Sequence, residues 1–76
     1  MVHAFVMMKT GPGKSEAMVD AVREIAAVAE AHIVAGDYDL IVELDTEEVY
    51  DVLHTSSTEL QELDGIENTK TYIALD

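Results

Sequence analysis

Residues 28–44 read VAEAHIVAGDYDLIVEL, and the parsing of this stretch decides the fold. From Tyr38 to Leu44 the side chains alternate, with Tyr38, Leu40, Val42 and Leu44 on one face and Asp39, Ile41 and Glu43 on the other. That is the period of a strand. Upstream, Val28, His32, Ile33 and Val34 lead into Gly36-Asp37. Two β-forming runs joined by Gly-Asp predict a hairpin. The Ala-rich start of the stretch sets no sharp boundary between the first of these strands and whatever precedes it.

Moving towards the N-terminus, Thr10-Gly11-Pro12-Gly13-Lys14 is a turn cluster. Ser15 stands where an N-cap is wanted, and Glu16 stands at the positive end of a helix dipole. Met18, Ala21, Val22 and Ile25 then recur at i, i+3, i+4 and i+7, with Asp20, Arg23 and Glu24 on the opposite side. This spacing predicts an amphipathic helix of about three turns. Before the turn, Val2 to Lys9 is rich in β-formers. Val2, Ala4, Val6 and Met8 share one parity; His3, Phe5, Met7 and Lys9 share the other. Both sides are largely apolar, which predicts a central strand covered on each face.

Moving towards the C-terminus, Asp45 with Glu48 reads as a capping pair opening a second helix. Val49, Val52, Leu53, Ser56, Leu60 and Leu63 lie at helical spacing, and Asp64-Gly65 marks the stop. Glu67 to Leu75 is expected to be a last strand, with Thr69, Thr71, Tyr72 and Ile73 supplying β-propensity. The order β-α-β-β-α-β implies an α+β, ferredoxin-like domain over residues 1–76, with a four-stranded antiparallel sheet and both helices on one face. The other sheet face needs a cover. A second copy of the chain is the simplest one, so a homodimer formed through the sheet is expected.

Composition narrows the function. A 76-residue chain without Cys has no disulfide or thiolate chemistry, which leaves association as a route to stability. Sixteen acidic residues against four basic ones give a formal net charge of −12. Such a surface is repelled by phosphate backbones, so direct nucleic-acid binding is not expected. The acids are dispersed, as suits a halophilic protein kept soluble in strong salt; an ordinary acidic surface is the plain alternative. No apolar run approaches the roughly 20 residues of a membrane span, and the N-terminus lacks a signal-peptide pattern, so a cytoplasmic location is expected.

Three stretches carry a more specific signal. They are Ala4-Phe5-Val6 followed by Gly11-Pro12-Gly13, then Val34-Ala35-Gly36-Asp37-Tyr38-Asp39-Leu40, then Leu63-Asp64-Gly65-Ile66 followed by Thr69-Lys70-Thr71-Tyr72-Ile73. Together they resemble the effector-binding domain of the Lrp/AsnC (feast/famine) family of transcription regulators, and the resemblance covers nearly the whole chain. It implies dimers formed through the sheets, ring-like assemblies of dimers, and effectors, usually amino acids, bound near the contacts between dimers. Family members carry a helix-turn-helix domain ahead of this one, whereas this sequence starts directly at strand one. The resemblance therefore implies a sensing or partner-modulating module without its own DNA-binding part, able to associate with full-length Lrp/AsnC regulators.

Carried over residue by residue, the ligand site falls on Gly36, Asp37, Tyr38 and Asp39 of the turn and on Thr69 and Thr71 of the last strand. The chemistry suits an amino acid. Gly36 admits a ligand close to the backbone, Asp37 or Asp39 accepts hydrogen bonds from an α-ammonium group, and Thr hydroxyls both donate and accept. No Arg is placed to grip the α-carboxylate. Each residue also has a plain reading: Gly36-Asp37 as a hairpin turn, Asp39 as a turn-stabilising acceptor, Tyr38 as core or interface, and the two Thr as ordinary strand residues.

His3, His32 and His54 show no metal-ligand spacing, and no cofactor is expected. No nucleophile elbow, phosphate loop or nucleophile–base pair is visible, so nothing in the sequence argues for catalysis. Two other readings compete with effector sensing. One is a small dimeric enzyme, cofactor-free or haem-related, with His32 or His54 in a pocket beneath the sheet. The other is a structural adaptor of a regulator that binds no small molecule.

Overall fold

The computed structural model describes residues 1–76. The chain forms β1 (Val2–Thr10), α1 (Ser15–Arg23), β2 (Val28–Ile33), β3 (Leu40–Thr46), α2 (Val49–His54) and β4 (Ile66–Ile73), with α2 running on as a π-helical segment, Thr55–Leu60. The strands make one antiparallel sheet in the order β2-β3-β1-β4. This is the expected β-α-β-β-α-β arrangement of a ferredoxin-like α+β fold.

The alternation along the strands explains which face is closed. Ala4, Val6 and Met8 of β1 and Leu40, Val42 and Leu44 of β3 are fully buried, and Met18, Val19 and Val22 of α1 are buried with them, as are Val52 and Leu60. One parity of the sheet thus packs against both helical segments, and the core lies between them. The other parity is left open. There Phe5, Met7 and Ile41 are half-buried, and Tyr72 is exposed. The sequence places apolar residues on both sides of β1, and only one side is covered within the chain.

Local readings of the sequence meet three corrections. Ser15 is the first residue of α1 and not its cap; Lys14 occupies the cap position and makes no side-chain capping bond. The Ser15 hydroxyl instead shares a 3.1 Å hydrogen bond with Thr10 Oγ1. Likewise Asp45 does not cap α2. It lies within β3, where its carboxylate accepts from His3 Nδ1. Glu48 precedes α2 in an extended conformation without a side-chain capping bond. In both cases a partner outside the helix has taken the oxygen that local capping rules would assign to it. The hairpin is also wider than a Gly-Asp turn. β2 ends at Ile33 and β3 begins at Leu40, so Tyr38 belongs to the loop and not to a strand.

The π-helical segment has a visible cause. Ser56 Oγ and Ser57 Oγ both donate to the Leu53 carbonyl, at 3.3 and 2.6 Å, and compete with the main-chain ladder there. In a continuous α-helix Glu59, seven residues after Val52, would lie only about 20° from it and would face the core. The wider turn delays the phase by about one residue. Leu60 is accordingly buried while Glu59 is exposed.

Candidate functional site

The 34–39 loop closes on itself and on β1. The Val34 amide donates to the Asp39 carbonyl at 2.9 Å, and the Asp39 amide donates to the Met8 carbonyl at 2.9 Å. Asp39 Oδ2 accepts from the Thr10 amide at 2.9 Å and more weakly from Thr10 Oγ1 at 3.5 Å. Thr10 is itself buried. This carboxylate therefore fastens the loop to the end of β1. Asp37 is exposed, while its carbonyl accepts from Lys9 Nζ at 3.2 Å. Gly36 lies near the fully extended conformation, and a Cβ placed on it would meet nothing within 4 Å. Packing inside the chain does not require a glycine there, which leaves its backbone open to an incoming group.

β4 supplies the other expected residues. Thr69 pairs with Met8, and Thr71 pairs with Val6 one step further into the sheet. Both side chains therefore share the helix-covered face with Met8 and Val6, and both are half-buried. Thr69 Oγ1 accepts from Gln61 Nε2 at 2.9 Å. Beside it lies a cleft of about 220 Å³ lined by Gln61, Ile66, Glu67, Asn68 and Thr69.

Met8 is the link between the two groups, because its carbonyl holds the loop and its opposite neighbour is Thr69. Gly36, Asp37, Tyr38, Asp39 and Thr69 thus gather at one end of the sheet. Leu40 and Thr69 flank Met8 there, about 10 Å apart at two inter-strand spacings. Thr71 is set further in. The loop residues do not line the cleft beside Thr69, so in a single chain the two groups of candidate residues share no enclosed pocket. Sequence reasoning missed Lys9, Thr10, Gln61 and Asn68. Lys9 and Thr10 end the strand that enters the site, and Gln61 follows the helical phase shift, so only the observed register brings them in.

The histidines sort differently. His3 lies on the open sheet face between Asp45 and Glu43, with Nε2 at 3.2 Å from Glu43 Oε1. The hydrogen bond to Asp45 lifts its pKa above the ordinary 6.5, opposed by desolvation and helped by the charges of Asp45 and Glu43. His32 projects from β2 onto the same open face, within hydrogen-bonding distance of Glu30 at 3.1 Å. His54 is exposed on α2 and stacks on Tyr50 at 6.3 Å. His32 lines an open cleft at the β2 edge and His54 an open cleft beside α2, and neither lies in a pocket beneath the sheet, where the enzyme reading expected one of them. The single Arg, Arg23, donates to the Ala31 carbonyl from Nε at 3.3 Å and Nη2 at 2.8 Å and ties α1 to β2.

Comparison with known proteins identifies the family. The sequence pattern of the Lrp/AsnC ligand binding domain matches residues 3–76. No curated protein matches the chain at a significant level. Among solved structures, TTHA0845 from Thermus thermophilus is 29% identical with a TM-score of 0.95, the match covering 100% of this chain and 95% of that one. FFRP-DM1 is 33% identical with a TM-score of 0.93, covering 99% of this chain and 100% of its own. The transcriptional regulator NMB0573 from Neisseria meningitidis, solved as a complex with L-Met, is 17% identical with a TM-score of 0.86. That match covers 99% of this chain but 50% of the regulator, and it is a likeness of fold. With the pattern spanning nearly every residue and the fold reproduced over the full length of small relatives, the chain belongs to the Lrp/AsnC ligand binding domain family.

Proposed function

We propose that this domain is an effector-binding and oligomerisation module of transcriptional regulation, and that its effector is an amino acid or a close relative of one. The observation that carries the reading is the open Gly36-Asp37 loop, fastened by Asp39 and set at the same sheet end as Thr69. Asp37 suits an α-ammonium group, Lys9 suits an α-carboxylate, and Gln61, Asn68 and Thr69 offer uncharged polar contacts. The fold relative solved with L-Met supports the ligand class. In this reading Tyr38 lines the approach from the 34–39 loop and Thr71 lines it from β4.

Two half-sites on one chain favour an effector held where copies meet. The open sheet face, with Phe5, Met7, Ile41 and Tyr72 at its centre, is the surface we assign to the homodimer, and higher assembly would bring loops and clefts of different dimers together. Full-length regulators of the family present the same sheet and are candidate partners. Sensing of this kind needs binding and assembly but no catalysis. The acidic surface fits a protein adapted to strong salt in the cytoplasm.

The test is thermal unfolding against the twenty amino acids with mass measured on the same sample. A ligand at 100 times its Kd stabilises the native state by about 2.7 kcal/mol. A selective shift, lost in D37A, supports the proposal. A well-folded oligomer that answers to none of them refutes sensing and leaves the adaptor reading.

A further inference from the structure

We infer that Glu30, His32 and Glu43 form a binding site for a divalent transition-metal ion on the open face of the β2–β3 hairpin. It lies apart from the loop and from Thr69, and it does not depend on the effector reading.

The site is built by an irregularity in the sheet. Val28 pairs with Leu44, and an unbroken antiparallel register would then set Glu30 opposite Val42 on the core side. The register shifts between Val28 and Glu30, so Glu30 stands opposite Glu43 and Ala31 opposite Val42. One extra residue in β2 has thus re-aimed a carboxylate onto the open face, which is what such bulges do. His32, two residues on, projects from the same face. Two glutamates directly across from one another destabilise a sheet unless something positive lies between them. No lysine or arginine does so; only histidines stand beside them, His3 Nε2 at 3.2 Å from Glu43 Oε1 and His32 Nε2 at 3.1 Å from Glu30 Oε1. Arg23 lines the adjoining cleft with Glu30 and His32, but its guanidinium is turned to the Ala31 carbonyl and pairs with no carboxylate within 4.0 Å. Lys9 is engaged at the 34–39 loop.

The donor atoms are already close. One ligand atom from each of the three side chains lies within 4.8 Å of the others, and His32 Nε2 to Glu30 Oε1 is 3.1 Å. Ligands held at roughly 2.0–2.2 Å from an ion stand about 2.8–3.6 Å apart from octahedral to tetrahedral geometry, so the His32–Glu30 edge already falls in the required range. Glu43 must close by a rotation of its own flexible side chain, exchanging its contact with His3 for the ion. One imidazole with two carboxylates is a donor set for Zn²⁺, Mn²⁺, Co²⁺ or Ni²⁺ and not for Mg²⁺ or Ca²⁺, which prefer oxygen alone. All three side chains reach solvent in the single chain, at the β2 edge of the face assigned to the homodimer and away from its centre, so water can complete the coordination.

Zn²⁺ titration by calorimetry, on chelator-stripped protein carrying no histidine tag, tests the assignment. One Zn²⁺ per chain is expected, with a rise in Tm and a shift of the His32 imidazole resonances. H32Q and E43Q should each weaken binding at least tenfold, while H54Q should bind as the parent does. Circular dichroism establishes that these surface variants are folded. Unchanged affinity in H32Q, the absence of saturable binding, or equal competition by Mg²⁺ would each overturn the site, the last by showing only diffuse attraction to an acidic surface.

Discussion

Replacing Asp39 with alanine separates its architectural role from a ligand role. In the intact protein one carboxylate oxygen accepts from the buried Thr10 amide at 2.9 Å and from the Thr10 hydroxyl at 3.5 Å. Removing it strands a buried amide, at a cost of about 1–3 kcal/mol, and a charged acceptor belongs in the upper part of that range. Asp39 is itself only half-buried, and water entering the gap will recover part of the loss, so about 1.5–2 kcal/mol is expected. In a domain of this size each kcal/mol moves Tm by about 4–8 °C. D39A should therefore lower Tm by about 6–16 °C at fixed protein concentration. D39N keeps an acceptor oxygen and should recover roughly half of the loss. The measurement is thermal unfolding followed by circular dichroism, without any amino acid present. A D39A variant within about 0.5 kcal/mol of the parent, the range of an ordinary surface change, would refute the fastening role and return Asp39 to the list of free ligand acceptors.

Gly65 has φ 100°, and a Cβ there would stand 3.1 Å from Met18 Cε. G65A should therefore cost about 1–2 kcal/mol in denaturant unfolding, and a neutral result would show that this corner relaxes freely. The raised pKa of His3 means that the folded state holds its proton more tightly than the unfolded chain does. Its contribution to stability is fully present below pH 6.5 and is lost as pH rises through the higher folded value. NMR titration in the presence of a chelator should place His3 above 6.5 in the parent and lower in D45N; an unmoved midpoint in D45N would exclude Asp45 as the main cause. Finally, none of the 16 acidic residues is buried, and the ion pairs within 4.0 Å all use histidine. Added NaCl should raise Tm through the first few tenths molar by screening repulsion, and a flat or falling response would contradict that reading.

The order of the elements was legible because each boundary carries its own chemistry: Gly-Pro-Gly before α1, Gly-Asp in the hairpin, Asp64-Gly65 before β4. The alternation of Leu40, Val42 and Leu44 identified the buried face correctly. What local reading could not reach were side chains claimed by other partners. Ser15 and Asp45 have good capping character, yet Thr10 and His3 hold them, and no spacing rule contains those contacts. The helical pattern after Val49 included Ser56 and Leu60 but gave no warning that paired serines would widen the turn after Leu53, or that Val49 and Leu53 would themselves be exposed. At the candidate site, Gly36 to Asp39 and Thr69 stood out as motifs whose ligand role is proposed. Lys9, Thr10 and Gln61 became visible only through the register. The same limit hid Glu30, His32 and Glu43, whose convergence depends on a one-residue shift between strands.

The sheet order has a consequence for how the chain is made. β1 leaves the ribosome before either of its neighbours, yet in the finished sheet it lies between β3 and β4, with Ala4 opposite Ile73. Until residues 66–73 emerge, that strand has one bare hydrogen-bonding edge and apolar side chains on both faces, the combination that invites pairing with a neighbouring nascent chain. Loop closure over almost the entire sequence must precede that last pairing, which places the domain among the slower folders for its length. The many carboxylates then act during synthesis as well as afterwards, since mutual repulsion keeps incomplete chains apart while β1 waits for its partner.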